Sequence, residues 1–120
     1  MYNKNVSDIY KQNQINTASP KDLVILLYEG CVKFLRLAEL GLEENRLDLV
    51  NENLIKAQNI IQELMNTLDI EQGGEVALGL ESLYDYYLTE LFQANIHKDK
   101  DKIISVRENM SELLDSWKNI

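Results

Sequence analysis

The sequence predicts an all-α protein: an antiparallel up-down-up-down four-helix bundle with an extended N-terminal arm. Three observations lead to this fold class. Apolar residues recur at helical spacing along most of the chain, and no stretch alternates in polarity as a half-buried strand would. The only proline, Pro20, stands where the first helix begins, so the rest of the chain is free to be helical. The polar breaks between helices are short, which makes consecutive helices antiparallel neighbours.

Two segments are expected. Residues 1–18 are polar with isolated apolar points, among them Ile9 and Tyr10, and we interpret them as a flexible arm. This arm is either a frayed terminus or a segment whose apolar side chains cover part of a groove on the bundle. Residues 19–120 form the bundle domain. Its first helix begins with Ser19 as N-cap, Pro20 at the first helical position and Asp22 at the third. We predict helices over residues 19 to about 41–45, 47–68, 75–95 and 102–118.

Each helix carries an apolar stripe that predicts its core face, and Tyr28 lies at the edge of the first stripe. The predicted core residues are Leu23, Val24, Leu27, Cys31, Phe34, Leu35 and Ala38; Val50, Leu54, Ala57, Ile61, Leu64, Met65 and Leu68; Val76, Leu80, Leu83, Tyr84, Tyr87, Leu91 and Ala94; and Ile103, Val106, Met110, Leu113, Leu114 and Trp117.

Further apolar residues fall outside these stripes. They are Ile25, Leu26, Leu37 and Leu40 in the first helix, Ile55 in the second, and Leu78, Leu88, Phe92 and Ile96 in the third. One interpretation is ordinary packing between helices together with scattered exposed leucines. The other is that the bundle has grooves that accept amphipathic segments of another protein, and these residues are then the candidate partner-binding set.

The composition argues against several function classes. A net charge of -8 disfavours a nucleic-acid partner. No apolar run reaches the roughly 18–20 residues of a membrane span, and no signal peptide is evident, so we expect a cytoplasmic protein without membrane insertion. The lone cysteine, Cys31, excludes an internal disulfide and is expected to be a buried, unreactive thiol.

Catalytic chemistry is not indicated, and we expect neither an enzyme nor a bound metal or cofactor. One histidine cannot form a histidine-rich metal site, and the pair Gly73–Gly74 lacks the Lys-Ser/Thr of a phosphate loop. A histidine phosphotransfer domain is an alternative for a small acidic bundle. It would need its histidine exposed on a helix face, whereas His97 stands at the break before the last helix.

Four stretches in the same order and spacing carry a family resemblance. They are "NTASPKDLVILLYEGCVKFLRLA" from residue 16, "NENLIKAQNIIQELMNTLD" from residue 51, "GGEVALGLESLYDYYLTELFQAN" from residue 73, and the terminal Trp117–Lys118. Together they resemble the FliS family of flagellin export chaperones along nearly the full chain. The residues that match its motifs are Thr17, Ser19, Pro20, Tyr28, Tyr84, Asp85, Tyr86, Asn95 and Trp117.

The resemblance implies a function. Members of the family bind the disordered C-terminal segment of newly made flagellin in the cytosol, prevent its premature polymerisation and deliver it to the flagellar type III export gate. No nucleotide or metal is implied. The arm with Ile9 and Tyr10 would lie over part of the groove until the client displaces it. A generic helix-binding adaptor is the alternative function.

Overall fold

A computed structural model describes residues 19–120, and within this range the chain forms four α-helices and no strand. The helices are α1 (Pro20–Glu43), α2 (Leu47–Asn66), α3 (Ile70–His97) and α4 (Lys100–Lys118). The candidate residues Ile9, Tyr10 and Thr17 lie outside the described residues.

The helices are arranged as a ring in which each one packs against its two neighbours along the chain, with α4 closing onto α1. Contacts between helix ends establish the antiparallel order. Lys100 at the start of α4 forms an ion pair with Glu43 at the end of α1, at 3.1 Å. Asn95 near the end of α3 donates to Asn51 near the start of α2, at 2.8 Å. The predicted up-down-up-down bundle is confirmed.

Side-chain caps determine where the helices begin. The Ser19 hydroxyl accepts a hydrogen bond from the backbone N–H of Asp22 at 3.1 Å, as predicted. Asp69 caps α3 in the same way through Gln72, and Asp99 caps α4 through Asp101 and Lys102. Because of these two aspartates, α3 and α4 begin earlier than the predicted residues 75 and 102.

Between the predicted second and third helices, the glycine pair forms a kink inside α3 rather than a separate loop. Gly74 has φ 55° and ψ -131°, which interrupts the helix between its first turn and the remainder. A side chain strongly disfavours such a conformation, whereas glycine adopts it readily. The prediction of a break at this position is therefore correct, but the assignment of residues 70–74 to a connection is wrong.

The core is built from all four helices, and most of the predicted stripe residues lie in it. Two assignments are corrected. Tyr28, placed at the edge of a stripe, is fully buried. Val76, placed in the core, is 73% exposed, because Ala77 is the first α3 side chain that the core buries. The buried apolar residues are Tyr28, Cys31, Leu35, Ala38, Val50, Leu54, Ala57, Ile61, Leu64, Ala77, Tyr84, Tyr87, Leu91, Ala94, Ile103, Val106, Met110 and Leu114.

Candidate interaction surfaces

Three motif aromatics meet inside one end of the bundle. The hydroxyl groups of Tyr28 in α1 and Tyr84 in α3 form a hydrogen bond of 2.6 Å. The ring of Trp117 in α4 lies 6.4 Å from that of Tyr28, centroid to centroid. Burial raises the pKa of both tyrosines, so both hydroxyls stay protonated at neutral pH. This cluster holds three helices together and offers no reactive group.

An apolar groove of about 280 Å³ opens beside this cluster. We call it the end groove, and its apolar lining consists of Val24, Leu64, Leu68, Val76, Ala77, Leu80, Tyr84 and Trp117. A second concavity shares Val76, Leu80 and Trp117 and continues towards Leu113 and Ile120. The sequence did not predict this groove because its apolar lining, apart from Ala77, belongs to helical stripes assigned to the core. The sequence feature that could have indicated the groove is the pair Gly73–Gly74, because Gly73 lines the groove and Gly74 forms the kink.

A second apolar surface follows the line where α2 packs against α3. The Asn51–Asn95 hydrogen bond sets the register of the two helices. On the same sides of these helices lie Ile55, Leu88, Phe92 and Ile96, which we call the seam surface.

Exposure differs among the residues of the third helix and its neighbour. Phe92 and Ile96 are each 60% exposed, and Ile55 is also exposed. Leu88 is half-buried and packs against the core. Leu78 is exposed and lies about five turns before Ile96 on the same side of α3. The bundle thus leaves large side chains on this face without a neighbouring helix among residues 19–120.

The candidates in α1 divide into two groups. Ile25 is half-buried and packs against the core, and Leu26 is half-buried as well. Leu37 and Leu40 are exposed on the outer face of the helix. Leu37 lines a concavity of about 450 Å³ between α1 and α4, which we call the outer groove. Its lining is Glu29, Val32, Lys33, Arg36, Leu37 and Leu114.

The remaining motif residues on α3 are Asp85, Tyr86 and Asn95. Asp85 and Tyr86 are exposed on α3, and the Tyr86 ring lies 6.0 Å from that of Tyr87. Asn95 also accepts a hydrogen bond from the Lys98 ammonium, which joins the end of α3 to its left-handed C-cap. The Asn95 contacts stabilise the end of α3 and its pairing with α2.

The whole chain resembles a known protein family. The profile of the family described as "Flagellar protein FliS" matches residues 1–120. The chain belongs to the FliS family. The resemblance predicted from the four sequence stretches is therefore confirmed.

Several relatives carry the name "Flagellar secretion chaperone FliS". The protein of Bacillus subtilis is 44% identical over 109 residues, which are 91% of this chain and 80% of the relative. That of Salmonella typhimurium is 36% identical over 118 residues, or 98% and 87%. That of Campylobacter jejuni is 33% identical over 120 residues, or 100% and 94%. The FliS family to which this chain belongs is thus one of flagellar secretion chaperones.

The one cysteine and the one histidine of this FliS-family chain lie in different surroundings. Burial raises the pKa of the Cys31 thiol to about 12, and its sulfur lies 3.9 Å from the carbonyl oxygen of Ala57. His97 is the exposed last residue of α3. Within residues 19–120, no three His, Cys, Asp or Glu side chains group as a metal site. None of the four helices within residues 19–120 has the length and hydrophobicity of a membrane span.

Proposed function

We propose that this chain binds the disordered C-terminal segment of newly made flagellin in the cytosol, prevents its polymerisation and delivers it to the flagellar export gate. The observation that carries the proposal is the exposure of large apolar side chains on the seam surface of a FliS-family bundle, above all Phe92 and Ile96. Exposed apolar surface of this kind marks sites of protein interaction.

The client would follow an extended path over the bundle. An amphipathic segment laid on α2 and α3 covers Ile55, Phe92 and Ile96 with its apolar stripe. A further turn of the segment fills the end groove against Leu80 and Trp117. Each apolar contact contributes about 25 cal/mol per Å² buried, and ordering the segment offsets about 2–5 kcal/mol of the total. The balance is binding that is specific and still reversible, which suits a cargo that is later exported.

The arm completes the proposal. Ile9 and Tyr10 would cover part of the client-binding surface in the free protein and leave it when the client binds. Deletion of residues 1–15 should then change client affinity, whereas an arm that never meets the groove makes the deletion neutral. The seam surface itself is tested separately, with the full chain.

Isothermal titration with a peptide of about the last 40 residues of the organism's own flagellin tests client binding. We expect saturable one-to-one binding with a large negative heat-capacity change. Phe92→Asp should weaken binding at least about tenfold, since a buried charge replaces a central aromatic contact. Tyr86→Asp is the matched control, because Tyr86 is a comparably exposed aromatic on another side of α3. Circular dichroism checks that both variants remain folded.

Three results are decisive. Absence of binding at high concentration rejects the flagellin client and leaves the generic helix-binding adaptor. Equal losses in Phe92→Asp and Tyr86→Asp reject the seam surface as the site. Delivery is tested by asking whether the complex binds the cytoplasmic domain of the export gate more tightly than the free protein does, and equal binding argues against it.

A further inference from the structure

The outer groove lies on the opposite side of the bundle from the seam surface. The ring order of the helices places the α1/α4 face across from the α2/α3 face. The apolar side chains of the outer groove are Val32 and Leu37 from α1 and Leu114 from α4. A single amphipathic helix could lie along this strip between the two helices.

The charge around this strip differs from that of the rest of the protein. The chain carries a net charge of -8, yet Lys33 and Arg36 both line the outer groove, where Glu29 is the one acidic residue. They are three residues apart and therefore lie on one side of α1. The Lys33 ammonium is 5.6 Å from the centre of the Phe34 ring, and the Lys56 ammonium is 5.4 Å from the same ring. The lining of the groove thus contains two cations, Lys33 and Arg36, while Lys56 of α2 approaches the Phe34 ring and is not part of the lining.

Two of these cations are not engaged by carboxylates of the bundle. Among residues 19–120, the ion pairs use Arg46, Lys56, Lys100, Lys102 and Arg107. Lys33 and Arg36 take part in none of them. On a strongly acidic protein, paired cations need no external partner, whereas cations that border an apolar groove favour a ligand bearing carboxylates.

We infer that the outer groove binds a short acidic amphipathic helix of a protein other than the flagellin client. Its apolar stripe packs against Val32, Leu37 and Leu114, and carboxylates one turn apart on its flank meet Lys33 and Arg36. Because this face is opposite to the seam surface, the helix and the client can be bound together. The groove and its charges carry the inference, and only the statement that the helix and the client bind together rests on the proposed function.

Two synthetic helical peptides of about 18 residues, or five turns, test the inference. They share one leucine stripe and differ only in the flanking residues, which are glutamates in the first and lysines in the second. Non-specific attraction to a protein of net charge -8 favours the lysine peptide. The outer groove favours the glutamate peptide. Fluorescence anisotropy is expected to show at least about tenfold tighter binding of the glutamate peptide, with a preference that shrinks as salt is raised.

Charge reversal locates the site. The double variant Lys33→Glu/Arg36→Glu should lose the glutamate peptide and gain affinity for the lysine peptide. Arg46→Glu/Lys118→Glu is the matched control, because it changes the net charge equally at cations outside the groove. Backbone amide NMR shifts should concentrate around Val32 and Leu37 in the wild type.

Each remaining outcome contradicts the inference. A lysine peptide that binds more tightly to the wild type, or no saturable binding of the glutamate peptide, overturns the acidic helix. Displacement of the glutamate peptide by the flagellin peptide overturns a separate partner and assigns the groove to the client. Self-association of the chain that Lys33→Glu/Arg36→Glu abolishes assigns it to a second copy.

Discussion

The hydroxyl groups of Tyr28 and Tyr84 lie 2.6 Å apart inside the bundle and join α1 to α3. These two helices are diagonal in the ring, so the hydrogen bond crosses the core rather than linking neighbours. Both rings are buried, and neither hydroxyl is left without a partner. Trp117 packs against Tyr28 from α4, and the ring of Tyr84 lines the end groove. The pair therefore connects the packing of the core to the shape of a candidate binding surface.

Removing one hydroxyl of this pair should lower the free energy of unfolding more than removing both. Tyr28→Phe leaves the Tyr84 hydroxyl buried without a partner, which we expect to reduce the free energy of unfolding by about 1–3 kcal/mol. Tyr28→Phe/Tyr84→Phe removes both polar groups and should recover part of that loss. Urea unfolding of the wild type, the two single variants and the double variant gives the coupling energy. Strictly additive effects would mean that the hydrogen bond contributes nothing.

Two glycines of α3 should respond oppositely to alanine. Gly74→Ala places a side chain at φ 55°, ψ -131°, and we expect a loss of stability of about 1–3 kcal/mol. Gly79 lies in regular helix, and a Cβ there would meet nothing within 4 Å. Gly79→Ala should therefore raise the free energy of unfolding by about 0.5–1 kcal/mol. Thermal and urea unfolding measure both changes, and a neutral Gly74→Ala would show that the kink is not required.

Stability should fall in alkaline solution. The Cys31 thiol has a pKa of about 12 in the folded protein against 9.0 when exposed, so between these values only the unfolded chain releases the proton. The unfolded state then binds fewer protons, and the free energy of unfolding decreases as pH rises. Burial also raises the pKa of Tyr87 to about 12 and those of Tyr28 and Tyr84, so the tyrosines act in the same direction.

The cysteine contribution can be isolated with Cys31→Ala under reducing conditions. Between about pH 8 and pH 10, the wild type should lose about 1–2 kcal/mol more of its free energy of unfolding than this variant, since the tyrosines remain in both. Urea unfolding at the two pH values measures the difference. Equal losses in the two proteins would indicate that the folded thiol ionises as readily as an exposed one.

The ion pair between Glu39 and Arg107 should contribute more to the stability of the fold than the surface ion pairs do. It joins α1 to α4 through two hydrogen bonds, and its side chains are only 14% and 16% exposed. Glu39→Gln should lower the free energy of unfolding by about 1–2 kcal/mol, because a partly desolvated guanidinium loses its counter-charge. Asp48→Asn, which breaks the exposed pair with Arg46, should have no measurable effect. Similar effects of the two substitutions would contradict the difference in burial.

The fold class, the order of the helices and most of the core could be predicted from the sequence. These features depend on local rules: the helical spacing of apolar residues, the capping of α1 by Ser19 and Pro20, and connections too short for any other arrangement. The family resemblance could also be drawn from sequence stretches alone. The starts of α3 and α4 were missed although Asp69 and Asp99 are ordinary caps, because the glycine pair and the lysine-rich segment near them are typical of connections.

Which apolar residues the bundle buries could not be predicted without the packing of the four helices. Ile25 and Leu88 pack against the core, whereas Phe92 and Ile96 remain exposed. The sequence pattern had placed all four outside the core stripes. Tyr28, predicted at the edge of a stripe, is buried in the core. Val76, predicted in the core, is exposed and lines a groove. Helical periodicity specifies the sides of one helix. How each helix is rotated about its axis, and where its neighbour ends, depends on the packing of all four helices together.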